Sequence, residues 1–192
     1  MKLIPLLLTF AFTFAFTPVA AEAAPKKRAL ASPKYISAYS KVADKSSCQY
    51  QEQKDEEGET TSCTYRCNGP VEGISTQLDS CEDYDNFAVL IGDKRFSTWE
   101  QMTKVGGFAG LGNEKSIVEW LGRPVAQGFA DPFALIVRFN GTDENQKTRS
   151  RLAVFGIEKD ALCFKGLVKD NVAARKMADT GACVEKIKPG VN

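Results

Sequence analysis

Asp131-Pro-Phe-Ala-Leu-Ile-Val-Arg-Phe-Asn140 is the longest dense apolar run beyond the N-terminal leader of this chain. Read as a strand, it places Phe133, Leu135, Val137 and Phe139 on one side and Ala134, Ile136 and Arg138 on the other. One face is apolar and the other mostly so. Such a strand belongs in the middle of a sheet with something packed on it. Ser116 to Leu121 precedes it as a strand, closed by the turn Gly122-Arg-Pro124. Arg151 to Ile157 and Ala161 to Lys165 follow, with Glu158-Lys-Asp160 as the turn between them. Connections this short make a four-strand antiparallel meander. Asp170 or Asn171 then caps a helix running to about Thr180, with Gly181 after it. Its stripe of Ala173, Ala174, Met177 and Ala178 is narrow enough to lie close on a sheet.

Upstream, the pattern alternates again. Cys48-Gln-Tyr-Gln and Thr60 to Cys67 flank the polar segment Lys54-Asp-Glu-Glu-Gly-Glu59, a hairpin with an acidic tip. Asn68-Gly-Pro70 ends its second strand. Val71 to Ser75 reads as a short strand, Asp79 to Asn86 as an acidic loop, and Phe87 to Ile91 as an apolar strand. Gly92-Asp93 turns the chain back towards Trp99. Ser97-Thr-Trp-Glu100 has capping-box spacing, so a helical turn to Val105 competes with the strand at Thr98 and Trp99. Gly106 to Gly112 is glycine-rich but matches neither the dinucleotide fingerprint nor a P-loop. The expectation is an α+β fold: an antiparallel β-sheet meander of about six strands with the C-terminal α-helix packed on it, stabilised by disulfides.

The first 23 of the 192 residues read as a secretory signal, with Lys2 as n-region, an apolar run from Leu3 to Phe16 and Ala21-Glu-Ala23 as the cleavage pattern. The apolar run is shorter than the roughly 20 residues of a membrane span, and no later segment reaches that length. Residues 24–45, rich in Ala, Lys, Ser and Pro, are expected as a flexible tail that joins the domain near Tyr35 to Val42. The domain itself is expected over 46–188. Lys26-Lys-Arg28 is a solvated basic cluster within the tail. The net charge of +1 argues against nucleic acid as partner.

Six cysteines follow the leader: Cys48, Cys63, Cys67, Cys81, Cys163 and Cys183. An even count on an exported chain reads as three disulfides. Cys183 lies just past the helix and reaches back to Cys163. Three connectivities remain for the other four. The preferred one joins Cys48 to Cys67, opposite each other at the hairpin base, and Cys63 to Cys81. Cys63-Thr-Tyr-Arg-Cys67 is C-x-x-x-C, not the redox spacing C-x-x-C, although Arg66 could favour a thiolate.

The motifs Tyr65-Arg-Cys-Asn-Gly69, Gly92-Asp-Lys-Arg95, Val118-Glu-Trp120 and Pro132-Phe-Ala-Leu-Ile-Val-Arg138, with Cys163 and Cys183 around an Ala-rich helix, resemble a group of small exported proteins of Gram-negative bacteria without assigned function. The resemblance spans about residues 48–183. It implies an exported, disulfide-linked bacterial domain and a Cys163–Cys183 bridge, and it carries over no catalytic residue. Cys63 and Cys81 depart from the pattern, which leaves their pairing open.

The chain has no histidine. That removes Ser-His and Cys-His catalysis and imidazole ligation of metals. Carboxylates are the remaining acid/base groups in number. Glu100, Glu114 and Glu119 lie near Trp99 and Trp120, an arrangement suited to glycan cleavage if two converge. Asp79, Glu82, Asp83, Asp85 and Asn86 offer oxygen ligands without EF-hand spacing. The acidic tip Asp55 to Glu59 reads as solvated, and Asn140-Gly-Thr142 is a glycosylation sequon. No cofactor, metal or catalytic set is expected. The reading is a periplasmic or secreted non-enzymatic protein that binds an unknown protein or envelope partner. An inhibitor of a hydrolase, presenting the loop Asp79 to Asn86, and a carboxylate-dependent glycan hydrolase are the alternatives.

Overall fold

Polar–apolar alternation governs most of the chain, and a computed structural model turns it into two antiparallel sheets. The structure describes residues 34–81, 84–108, 110–111, 116–125, 128–142, 147–159 and 161–190. The expected signal segment and Lys26-Lys-Arg28 lie outside these residues. Among the described residues the strands are β1 (Ile36–Lys41), β2 (Gln49–Lys54), β3 (Thr60–Asn68), β4 (Ile74–Cys81), β5 (Tyr84–Ile91), β6 (Lys94–Ser97), β7 (Ile117–Val125), β8 (Gly128–Thr142), β9 (Thr148–Glu158), β10 (Ala161–Val168) and β11 (Glu185–Ile187). The helices are α1 (Trp99–Lys104) and α2 (Asn171–Thr180).

One sheet has the order β1-β7-β8-β9-β10-β11 and the other β2-β3-β4-β5-β6. Strand makes up 61% of the described residues and helix 11%, so this is a largely β protein, not the α+β meander expected from the sequence. The reason is which faces need cover. The β2–β6 sheet carries one apolar face, with Leu78, Phe87, Val89 and Phe96. It buries that face against Trp120, Leu135, Val137, Phe139 and Phe155 of the other sheet. The sequence reading gathered the strands into one sheet and left the apolar face of β4–β6 without a partner layer.

The second face of the six-stranded sheet is also apolar, with Leu121, Ala134, Ile136, Leu152 and Val154. Here α2 lies across it through Ala174 and Ala178. Asp170 caps the helix, its carboxylate accepting from the Ala173 N–H. At the other end the Lys165 ammonium donates to the Ala178 carbonyl at 2.7 Å. Partial burial pushes the pKa of Lys165 down.

Ile36–Lys41, assigned to the tail from sequence, is an edge strand that pairs with β7 from Ile36↔Gly122 to Lys41↔Ile117. The compact unit accordingly begins near residue 33. Short polar and apolar residues in alternation are enough for an edge strand once β7 supplies the ladder.

A bulge corrects the two-face reading of the opening stretch. Leu121 pairs with Ala134 but Gly122 with Pro132, so Phe133 is an extra residue, and a second shift follows at Asp131, whose φ is 49°. Phe133 therefore leaves the face of Leu135 and Val137. It packs with the second core, its ring 6.3 Å from that of Tyr35.

At Ser97 to Glu100 both competing readings hold in succession. β6 ends at Ser97, α1 starts at Trp99, and the Thr98 hydroxyl donates to the Phe87 carbonyl rather than closing a capping box. The described part of the glycine-rich segment crosses close over β8. A Cβ at Gly141 would stand 2.7 Å from the Gly107 carbonyl oxygen. Disulfides join Cys48 to Cys67 and Cys163 to Cys183. Among the described residues no helix is long and apolar enough to cross a membrane.

Candidate functional site

Beside the N-terminal half of α2, the outer face of the six-stranded sheet is left open. Strand alternation sends Tyr39, Glu119 and Ile136 to this side in one row, because Tyr39 pairs with Glu119 and Glu119 with Ile136. In the next row Lys41 pairs with Ile117, and Arg138 with Leu152. Asn171 and Arg175, one helical turn apart, form the rim. All of these but Lys41 line a cavity of about 410 Å³, within the range of small-ligand sites.

Glu119 is the floor. It is 7% exposed. Its Oε1 accepts from the Ser37 hydroxyl at 2.6 Å, from Arg175 Nε at 2.8 Å and, more weakly, from the Tyr39 hydroxyl at 3.4 Å. Arg175 Nη2 lies 2.8 Å from the same oxygen. The hydrogen bond to Glu119 raises the pKa of Arg175 above its ordinary value. Among the described residues every bond to this carboxylate ends on Oε1. Oε2 is not a sealed, unpartnered atom and so keeps some contact with solvent.

The walls differ in character. Ile136 and Leu152 are buried, whereas Ile117 is 46% and Tyr39 57% exposed. Arg138 is exposed and donates one Nη to the Ser150 hydroxyl at 3.0 Å. The site thus offers an aromatic ring, aliphatic surface, an open carboxylate oxygen and a guanidinium.

The three glutamates singled out from the sequence do not converge. Glu119 lines this cavity, whereas Glu100 lies on α1 in a different one, bound to Lys104 at 2.6 Å. Glu114 lies outside the described residues. Glu119 and Trp120 are neighbours in sequence and opposites in space. Trp120 points into the inter-sheet core, where its indole N–H donates to Ser40 at 2.8 Å. Trp99 does stand beside Glu100, partly exposed.

The acidic stretch Asp79 to Asn86 is mostly strand, the β4–β5 hairpin, rather than a loop. Asp79 is held by Thr64, Gln77 and Arg95, and Asp85 accepts from Ser80 and from the Leu111 N–H. Glu82 and Asp83 lie outside the described residues. At the other tip Asp55 accepts from the Glu57 and Glu59 N–H groups and closes the β2–β3 turn. Among the described residues no group of three or more His, Cys, Asp or Glu side chains could hold a metal ion.

Cys48 and Cys67 face each other across the base of that hairpin, and Cys183 meets Cys163 on β10. The Cys63 sulfur lies against the Ser80 carbonyl. The proposed partner's side chain, on Cys81, is outside the described residues, as is the pairing itself. Arg66 is exposed on β3, opposite Gln77. Asn140 of the sequon is half-buried and bridged through its backbone to Gly110.

Sequence reasoning missed Tyr39, Ile117, Arg138 and Arg175 as a group. They come from β1, β7, β8 and α2, and no local spacing links them. An arginine on the otherwise apolar outer side of β8 was the one available signal. No family model, curated protein or solved structure matches the chain.

Proposed function

We propose that the chain is an exported, non-enzymatic binding protein and that its ligand site is the open face of the six-stranded sheet beside α2. The observation that carries this reading is the floor of that cavity. A carboxylate more than nine-tenths buried lines the cavity with one oxygen fixed by Ser37 and Arg175, while among the described residues no hydrogen bond reaches the other. Preorganised polar groups within aliphatic walls are what a recognition site needs. The separation of Glu100 from Glu119 into different cavities counts against the glycan hydrolase.

The disulfides, the apolar leader and the resemblance to exported proteins of Gram-negative bacteria support a periplasmic or secreted location. The location and the resemblance belong to the proposal.

A fragment screen by amide chemical-shift perturbation tests the site. Anionic, neutral and cationic fragments are added to the ¹⁵N-labelled protein. Hits are expected to move the amides of Tyr39, Glu119, Arg138 and Arg175 together. If hits gather instead around Trp99 and Glu185, or nowhere, the assignment to this face fails.

A further inference from the structure

We infer that the open face of the six-stranded sheet takes an acidic saccharide, a uronate-type ring whose carboxylate meets Arg138 and whose hydroxyl donates to Glu119. This rests on the reading of that face as a binding site and adds the chemistry of its ligand.

Charge gives the first constraint. Lys41, Arg138 and Arg175 are the cations on this face, and Glu119 is the carboxylate among them. Asp170, at the start of α2, is committed to capping the Ala173 N–H. Arg175 is spent on Glu119 through two contacts of 2.8 Å. Lys41 stands partly against the Asp44 carboxylate just beyond β1, so Arg138 is the cation left over at the cavity, and the site favours an anion. The planar guanidinium of Arg138 suits a carboxylate, which it can grip with two parallel hydrogen bonds.

The Glu119 carboxylate gives the second constraint. It lines the cavity, is buried and paired with Arg175, and its Oε2 takes no hydrogen bond among the described residues while keeping some solvent contact. An acceptor whose charge is compensated gains little from a second cation. It gains from a neutral O–H donor, because an acceptor left without a partner in such a site is costly. A hydroxyl therefore fits better than an ammonium. Glu119 stands opposite Ile136, two residues along β8 from Arg138, so the sites for hydroxyl and carboxylate sit on a diagonal of the sheet about 7 Å apart at the backbone. That span matches groups on one pyranose or on adjoining rings.

The walls give the third constraint. The exposed faces of Tyr39 and Ile117 offer a platform for the C–H side of a ring. The Ser150 hydroxyl, already beside Arg138, and the Asn171 amide on the rim are planar or compact polar groups within reach of ring hydroxyls.

Trigalacturonate and a hyaluronan tetrasaccharide are titrated separately into the ¹⁵N-labelled protein, alongside methyl-esterified trigalacturonate and tetraglutamate. One of the two acidic saccharides is expected to shift the amides of Tyr39, Ile117 and Arg138. If that ligand is trigalacturonate, its methyl ester is expected to bind at least about ten-fold more weakly, the size of a lost charge-assisted hydrogen bond. Arg138→Gln should lose about the same factor while its melting temperature stays that of the parent. Glu119→Gln, which weakens the acceptor for the ligand hydroxyl, should also lower affinity, and unchanged affinity overturns the contact to Glu119. Equal binding of acid and ester overturns the role of the carboxylate. Tighter binding of tetraglutamate at the same amides replaces the saccharide with an acidic peptide. Silence of both saccharides at about 10 mM, a concentration that reveals even millimolar affinity, overturns the ligand class. The fragment screen separates that failure from failure of the site itself, because its hits at this face do not depend on saccharide chemistry.

Discussion

Single carboxylates in this protein differ by what surrounds them. Glu52 on β2 accepts from the Thr60 hydroxyl at 2.6 Å and from the Tyr50 hydroxyl at 3.0 Å, with Lys54 at 3.4 Å. These bonds, that from Thr60 first, take its pKa from 4.5 to about 2. A carboxyl whose pKa is lowered on folding stabilises the folded state above its unfolded value. That contribution is lost as pH falls from 4.5 towards 2. A carboxyl-carbon NMR titration should find the Glu52 midpoint near 2. Glu52→Gln should make the amide protection of the β2–β3 hairpin insensitive to pH across that window. Gly141 is a residue-scale constraint of another kind. A methyl group there would meet the Gly107 carbonyl at 2.7 Å. Gly141→Ala is expected to cost about 1–3 kcal/mol, as overpacking does, read from urea denaturation. A midpoint equal to the parent's would show that the glycine-rich segment yields freely.

Elements were legible where local chemistry sets them. Asp170 before an Ala-rich stripe and Gly181 after it marked α2, and the helix runs from Asn171 to Thr180 between them. The alternation of Leu152, Val154 against Ala153, Phe155 marked the two faces of β9, and both cores use them. Phe133 was placed on the wrong face because a bulge is a property of two paired strands, and one strand's pattern does not show it. The same limit hid the ligand face, whose side chains meet through pairing of β1, β7, β8 and β9. It also hid the second sheet, since strand count alone does not say which strands share a ladder. At this scale the contact of α2 is the sharpest test. Ala174 and Ala178 are fully buried against the sheet. Ala178→Leu should lift the helix and cost about 1–3 kcal/mol. The shift perturbations should reach Arg175 and so the cavity rim, and unchanged amides there would mean that the helix repacks without moving.

The molecule as a whole depends on a strand that composition assigned to a tail. β1 supplies Ala38 to the inter-sheet core and Ser37 and Tyr39 to the Glu119 network, and Tyr35, just before it, packs on the second core. Val42, just after it, is buried between the sheets and its carbonyl lies 3.2 Å from the Cys67 sulfur. A chain that begins after residue 45 should therefore lose more than about 3 kcal/mol, since several buried side chains go at once. It should also lose ligand contacts at Glu119. Denaturation that matches the full chain would show that the folded unit begins later than the structure places it.

The pairing of β1 with β7 has a consequence in time. The two strands are separated by the whole of the β2–β6 sheet, so the first of the described strands waits for a partner some 80 residues further along the chain. The β2–β3 hairpin closes over neighbouring residues, and the Cys48–Cys67 bridge spans 19 positions, so this half can form before the rest of the chain has folded. The six-stranded sheet, its helix and the Cys163–Cys183 bridge come last. Until β7 arrives, β1 has no ladder to join, and its backbone N–H and C=O groups are an open edge on which another chain could pair.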